Sequence, residues 1–188
     1  MALSIGTNEN ALPVASLIRS TTPVYSTLGT ASAVKRTLLP TFVARRQTEL
    51  HFNATALVDA SHLTEGSQAG ITAYAAPLNH YDVIVERKNG RLFVKSNIRV
   101  GALCHTGQPV ELKDSLAYIR ISSDKDYYYM QVSADGKSFT TLSKMDFRYL
   151  STEVIGGFTG VMLGLFAQGV GGYADFDWFE YTTLKFRK

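Results

Sequence analysis

Apolar and polar residues alternate with a period of two along most of this chain. Between residues 49 and 59, Leu50, Phe52, Ala54 and Ala56 alternate with Glu49, His51, Asn53 and Thr55. Between residues 80 and 90, Tyr81, Val83 and Val85 alternate with His80, Asp82 and Glu86. Successive side chains of a strand point to opposite faces, so this pattern predicts strands buried on one side. Lys88-Asn89-Gly90 then breaks the alternation, because Asn-Gly accepts the positive φ of a tight turn. The chain returns over 91–100 through Leu92-Phe93-Val94, which completes a hairpin. A second hairpin is expected from strands at 118–122 and 127–132, with Ala134-Asp135-Gly136-Lys137 turning the chain into 138–142. Strands at 158–167 and 173–181 follow. The one departure towards helix is a short turn at Asp146-Phe147-Arg148-Tyr149-Leu150. Ten or so short strands with turns every eight to twelve residues predict an all-β, antiparallel sandwich or barrel.

With 188 residues, 45% hydrophobic and 19% charged, the chain suits one domain with a substantial core, and disorder is excluded as its dominant state. Residues 1–40, rich in Ser, Thr and Ala and carrying Pro13, Pro23 and Pro40, read as edge strands and loops wrapping that sandwich. The net charge is +3 and the basic residues are scattered, so no nucleic-acid footprint is present. The opening residues MALSIGTNEN lack the basic start and apolar core of a signal peptide, which leaves the compartment open. Seven of the nineteen residues 154–172 are Gly, which suits a buried strand between loops better than a membrane span. The single Cys104 excludes an internal disulfide and a Cys-based zinc site, and reads as a small buried hydrophobe.

Several motifs have plain readings. Gly136-Lys137-Ser138 resembles the end of a phosphate loop, but Gln131 stands where the first Gly is needed and the context is a hairpin. Asp175 and Asp177 lie two apart on a strand, hence about 6.6 Å apart on one face. Carboxylates that cleave a glycosidic bond face each other across a cleft, so hydrogen bonding within the fold is the better reading. A structural calcium ion is compatible with the pair. His80 and Asp82 share a strand face without a nucleophile and read as solvated positions. Asn53-Ala54-Thr55 is a glycosylation sequon, relevant only in a secreted eukaryotic protein. The aromatic rings remain. Tyr74, Tyr81, Tyr127, Tyr128, Tyr129, Tyr173 and Trp178 are candidates to stack on the C–H faces of sugars, although most rings in a sandwich fill its core. By alternation Tyr127 and Tyr129 share one face and Tyr128 takes the other.

Phe42-Val43-Ala44-Arg45-Arg46-Gln47-Thr48 with Phe52, Ala69-Gly70-Ile71-Thr72-Ala73-Tyr74, Tyr81 and Ser133-Ala134-Asp135-Gly136-Lys137-Ser138-Phe139 occur in a familiar order. They are followed by Leu150-Ser151-Thr152-Glu153, Gly156-Gly157-Phe158-Thr159-Gly160-Val161, Gly164-Leu165-Phe166-Ala167 and Asp175-Phe176-Asp177-Trp178-Phe179-Glu180-Tyr181. Together they resemble the C-terminal concanavalin A-like domain of family 43 glycoside hydrolases, the β-xylosidases and α-L-arabinofuranosidases. The resemblance covers some three quarters of the chain. It implies a two-sheet jelly roll with its core over 41–182, packed against a five-bladed β-propeller that carries the catalytic carboxylates.

The resemblance further implies that the Gly157-Phe158-Thr159 loop reaches the propeller's sugar pocket. Phe158 then has two readings: a ring projected into that pocket, or the first core residue of the next strand. The pocket or sugar contacts expected are Phe158, Gly157, Thr159, Tyr128 and Tyr74, with no catalytic residue in the chain itself. The function expected is a non-catalytic module that stabilises the propeller and helps close its pocket. The alternative is a free-standing binding module for xylo-oligosaccharide or arabinoxylan, and a third is hydrolysis by Asp175 and Asp177. An apolar face that meets the propeller would also favour homo-oligomers of the isolated sandwich.

Overall fold

Asn89 and Gly90 both take positive φ, 52° and 76°, as a two-residue hairpin turn requires. They join β4 (Asn79–Lys88) to β5 (Arg91–Val100), paired antiparallel from Asn79↔Val100 to Lys88↔Arg91. The computed structural model describes residues 41–156, 160–169 and 172–183, so the expected wrapping segment 1–40 lies outside the described residues. The second hairpin pairs β8 (Leu116–Asp124) with β9 (Tyr127–Ser133), and β9 with β10 (Thr140–Asp146). β10 begins two residues later than expected because Asp135 Oδ1 accepts from the backbone N–H groups of Lys137 and Ser138, both at 2.8 Å. Ser138 N–H is therefore committed to the turn, not to the ladder.

Two antiparallel sheets result. The larger runs β1 (Thr41–Arg46), β11 (Met162–Gln168), β3 (Gln68–Ala76), β4, β5 and β6 (Leu103–Thr106), with β7 (Val110–Glu111) also paired to β5. The smaller runs β10, β9, β8, β2 (His51–Asp59) and β12 (Asp175–Thr183). This is the expected all-β, concanavalin A-like sandwich. The turn expected near Asp146 is a 3-10 turn over Phe147–Leu150, started by Asp146, whose carboxylate accepts from Arg148 N–H. A four-residue helix α1 (Thr152–Ile155) follows and ends on Gly156 at φ 71°. The last two strands start later than expected, at Met162 and Asp175.

The core is the space between the inner faces. From the smaller sheet it takes Phe52, Val58, Ile119, Ile121, Tyr128 and Met130. From the larger it takes Ile71, Tyr81, Val83, Val85, Leu163 and Leu165. Tyr128 sits at its aromatic centre, 0% exposed, edge-on to Phe52 and Tyr81 and stacked on Phe147 at 5.0 Å. Its hydroxyl donates to Gln47 Oε1 at 2.6 Å, and that of Tyr81 donates to the Asp146 carbonyl at 3.0 Å. Burial pushes both phenols far above the ordinary tyrosine range. Leu50, expected on the inner face, precedes β2 and is exposed. Cys104 is a correction too: β6 is an edge strand exposed along its whole length, so the thiol is free and exposed instead of buried. Among the described residues no helix is long and apolar enough to cross a membrane.

The Asp135 turn titrates. The N–H groups of Ser138 and Lys137 and the Ser133 hydroxyl hold its carboxyl at about 2. A folded-state value below the unfolded one adds stability above about pH 4, and that stability is lost as pH falls through about 2. Asp135→Asn keeps an acceptor oxygen but does not titrate. It is expected to flatten part of the fall in urea midpoint over that window, and an unchanged acid limb would remove the turn from the account.

Candidate functional sites on the outer sheet face and at the loop end

Alternation along β3, β4 and β5 sends one set of side chains to the core and the other to the outer face of the larger sheet. Register then groups the outward set in rows. Tyr74 stands opposite His80, Thr72 opposite Asp82, and Asp82 opposite Asn97. On the other side, β11 and β1 place Phe166 opposite Phe42. These residues, with Gln68, Gln168, Ile84, Lys95 and Thr106, line a groove of about 510 Å³.

One wall of the groove is aromatic, with Phe42 tilted against Tyr74 at 5.7 Å and Tyr74 stacked towards His80 at 6.2 Å. Its floor is polar and rigid. Asp82 is only 5% exposed; its Oδ2 accepts from Asn97 Nδ2 at 3.0 Å and lies 2.9 Å from His80 Nδ1, which is also 3.1 Å from Oδ1. A carboxylate only accepts, which places the His80 proton on Nδ1. Lys95 pairs with Glu86 at 2.5 Å, Gln68 donates to the same carboxylate, and Gln168 donates to Gln68. Thr72 Oγ1 is buried and has no hydrogen-bond partner among the described residues.

The second site is the end of the sandwich where β1, β3, β5, β8 and β10 finish and β2, β4, β9 and β11 begin. Gly156 and Gly160, at φ 71° and 68°, flank residues 157–159 there. The N–H of Gln47 donates to the Val161 carbonyl, and Asn79 Nδ2 to the Tyr149 carbonyl, which ties the surrounding loops together. A depression of about 250 Å³ lies at this end, lined by residues that include Leu50, Leu150, Glu153, Gly160 and Val161. Leu50, Leu78, Tyr127, Tyr149 and Val154 are exposed large hydrophobic residues at this end. Leu103 joins them from the edge strand, 77% exposed.

The five expected contact residues separate. Gly157, Phe158 and Thr159 lie outside the described residues. Tyr74 is in the groove wall. Tyr128 is a correction: its ring is enclosed in the core and has no surface to offer a sugar. Its neighbours Tyr127 and Tyr129 are the outward members of that triplet, edge-on to each other at 6.4 Å. Tyr173 stacks on His62 at 4.4 Å, and Trp178 leans on Tyr118. The expected solvated role of Asp82 is also corrected, because Asn97 and His80 cover it. Asp177 sits at a bulge between Phe176 and Trp178 and is exposed, whereas Asp175 is opposite Asp59 in the ladder. Among the described residues no group of three or more His, Cys, Asp or Glu is placed to hold a metal ion. Thr72, Asn97 and Lys95 were missed by the sequence reading. Their signal is a polar outward set on three consecutive strands, visible only once the strands are in register.

The family model for the β-xylosidase C-terminal concanavalin A-like domain matches residues 13–182. The non-reducing end α-L-arabinofuranosidase of Bacteroides ovatus is 30% identical over 151 residues, which are 77% of this chain and 28% of that protein. The solved structure of GH43B of the Bacteroides ovatus xyloglucan PUL superposes with a TM-score of 0.69 at 30% identity, covering 77% of this chain and 29% of that one. The family 43 protein BlXynB of Bacillus licheniformis gives 0.68 at 26% identity over 75% of this chain and 29% of its own. The chain thus spans under a third of the length of the curated relatives it matches. On this match across most of its length, and on a fold that agrees with it, the chain belongs to the β-xylosidase C-terminal concanavalin A-like domain family, the C-terminal β-sandwich module of family 43 glycoside hydrolases.

Proposed function

We propose that this sandwich is a non-catalytic module that docks on a family 43 catalytic β-propeller, stabilises it and helps close its sugar pocket with the 157–159 loop. The observation that carries the reading is that the exposed Leu50, Leu78, Tyr149 and Val154 lie at the end of the sandwich that also holds Gly156 and Gly160. Exposed apolar residues are ordinary one at a time, but a cluster at one end of a domain marks a surface that another body covers. α1 supports the same reading, since Thr152, Glu153 and Val154 are exposed and Ile155 alone packs on the core. Left uncovered, such an end would also bring two isolated copies together.

In this reading Phe158, with Gly157 and Thr159, contributes to the partner's sugar pocket. The sugars at that pocket would be the xylo- or arabino-oligosaccharides that family 43 xylosidases and arabinofuranosidases hydrolyse, and the propeller would supply the carboxylates. The test is a chimera in which residues 41–183 replace the C-terminal domain of the Bacteroides ovatus arabinofuranosidase. Hydrolysis of a nitrophenyl arabinofuranoside is expected to persist in the chimera. Phe158→Ala is expected to raise KM about tenfold, equivalent to about 1.4 kcal/mol of lost sugar contact. Leu50→Glu with Val154→Glu is expected to release the module from the propeller in limited proteolysis. A chimera indifferent to all three substitutions would overturn the reading.

A further inference from the structure

We propose that the groove on the outer face of the larger sheet binds a neutral oligosaccharide chain, at a site separate from the docking end. Its volume of about 510 Å³ lies within the range of small-molecule sites. Its lining comes from six strands, β1, β11, β3, β4, β5 and β6, so at the spacing of paired strands it spans about 24 Å. That length suits a chain of rings better than a single one.

The side chains specify the chemistry. Phe42 and Tyr74 form a wall of ring faces and edges, against which the C–H face of a sugar can lie. Besides the paired Asp82 and Lys95, its polar groups are side-chain amides, hydroxyls and an imidazole, which exchange hydrogen bonds with vicinal hydroxyls. Thr72 carries the argument furthest. It is 5% exposed, its Oγ1 has no partner among the described residues, and it lines the groove. A desolvated hydroxyl without a partner is costly, and a ligand hydroxyl that both donates and accepts removes that cost. Charge excludes the other ligand classes. The Asp82 oxygens are taken by Asn97 and His80, and Lys95 is taken by Glu86. Among the described residues the groove thus offers neither an unpaired cation to an anion nor an open carboxylate to a metal. A neutral polyol chain is what remains.

The test is calorimetric titration of the 188-residue chain with xylohexaose, with cellohexaose, and with hexagalacturonate as the anionic probe. Saturable binding of one or both neutral chains is expected, and none of the anion. Tyr74→Ala is expected to weaken it about tenfold. Thr72→Val keeps the side-chain shape and is expected to weaken it about fivefold. Near-UV circular dichroism of each variant shows that the fold is kept, and the isosteric Thr72→Val holds the proposal open to test if Tyr74→Ala unfolds. Phe158→Ala should leave this binding unchanged, which separates the groove from the docking loop. Absence of saturable binding to both neutral hexasaccharides would overturn the proposal. So would equal binding of the anion, or binding that neither groove variant alters.

Discussion

Tyr128→Ala is expected to destabilise the domain by about 3–5 kcal/mol, as removal of a large buried aromatic side chain does. The ring is fully enclosed and touches both sheets: Phe52 from β2, Tyr81 from β4, and Phe147 from the turn after β10. No single neighbour can fill the space, because Phe52 is already stacked on Tyr181 at 5.3 Å and Tyr81 is tied to the Asp146 carbonyl. The phenolic hydroxyl contributes separately. Tyr128→Phe keeps the packing and loses only the bond to Gln47, which is expected to cost about 1 kcal/mol. Urea unfolding of the three proteins gives both numbers. A loss under about 1 kcal/mol for Tyr128→Ala would mean the cluster collapses onto the cavity and is not the keystone that its geometry indicates. Because the ring has no exposed surface, Tyr128→Phe is also expected to leave sugar binding untouched.

The position of Tyr128 shows where sequence reasoning stops. Alternation separates Tyr128 from Tyr127 and Tyr129, but it does not say which face turns inward, since all three rings are alike. Tertiary packing decides that, by bringing Phe52 of the same sheet and Tyr81 of the facing sheet to one side. Local chemistry was legible wherever the backbone demanded it. Asn89, Gly90 and Gly136 announced their turns because few other residues take positive φ so readily, and Asp135 because its carboxylate caps the turn's N–H groups. The edge strands β6 and β7 were not legible: they are exposed, so no alternation marks them. Cys104 was misplaced for the same reason. The groove needed more than any local window holds. Tyr74, His80, Asp82 and Asn97 meet only through the register of three strands, and Phe42 reaches Tyr74 only after β1 pairs with β11, over a hundred residues further along. The order of the resembling segments foretold that both elements exist, not that their outward side chains would line one cavity.

Gly70→Ala is the second large effect, and it links stability to the groove. Gly70 lies in β3 opposite Ile84, on the outward set between Gln68 and Thr72. A Cβ placed there would run into the Val83 carbonyl oxygen, with the Val83 carbonyl carbon at 3.1 Å and Ile84 Cα at 3.2 Å. All three atoms are backbone, so no rotamer change relieves the contact and β3 must draw away from β4. The expected loss is about 3 kcal/mol, the upper end for overpacking. Gly66→Ala is the control. Its Cβ would meet nothing within 4 Å, but its φ of +77° makes the substitution strained, at a cost of about 1 kcal/mol. A Gly70 variant no weaker than the Gly66 one would show that the two strands have slack between them. With slack, the Thr72–Asp82 and Tyr74–His80 rows would also be free to shift. With the larger loss, the close approach of β3 and β4 is what holds the polar floor and the aromatic wall of the groove in a fixed relation.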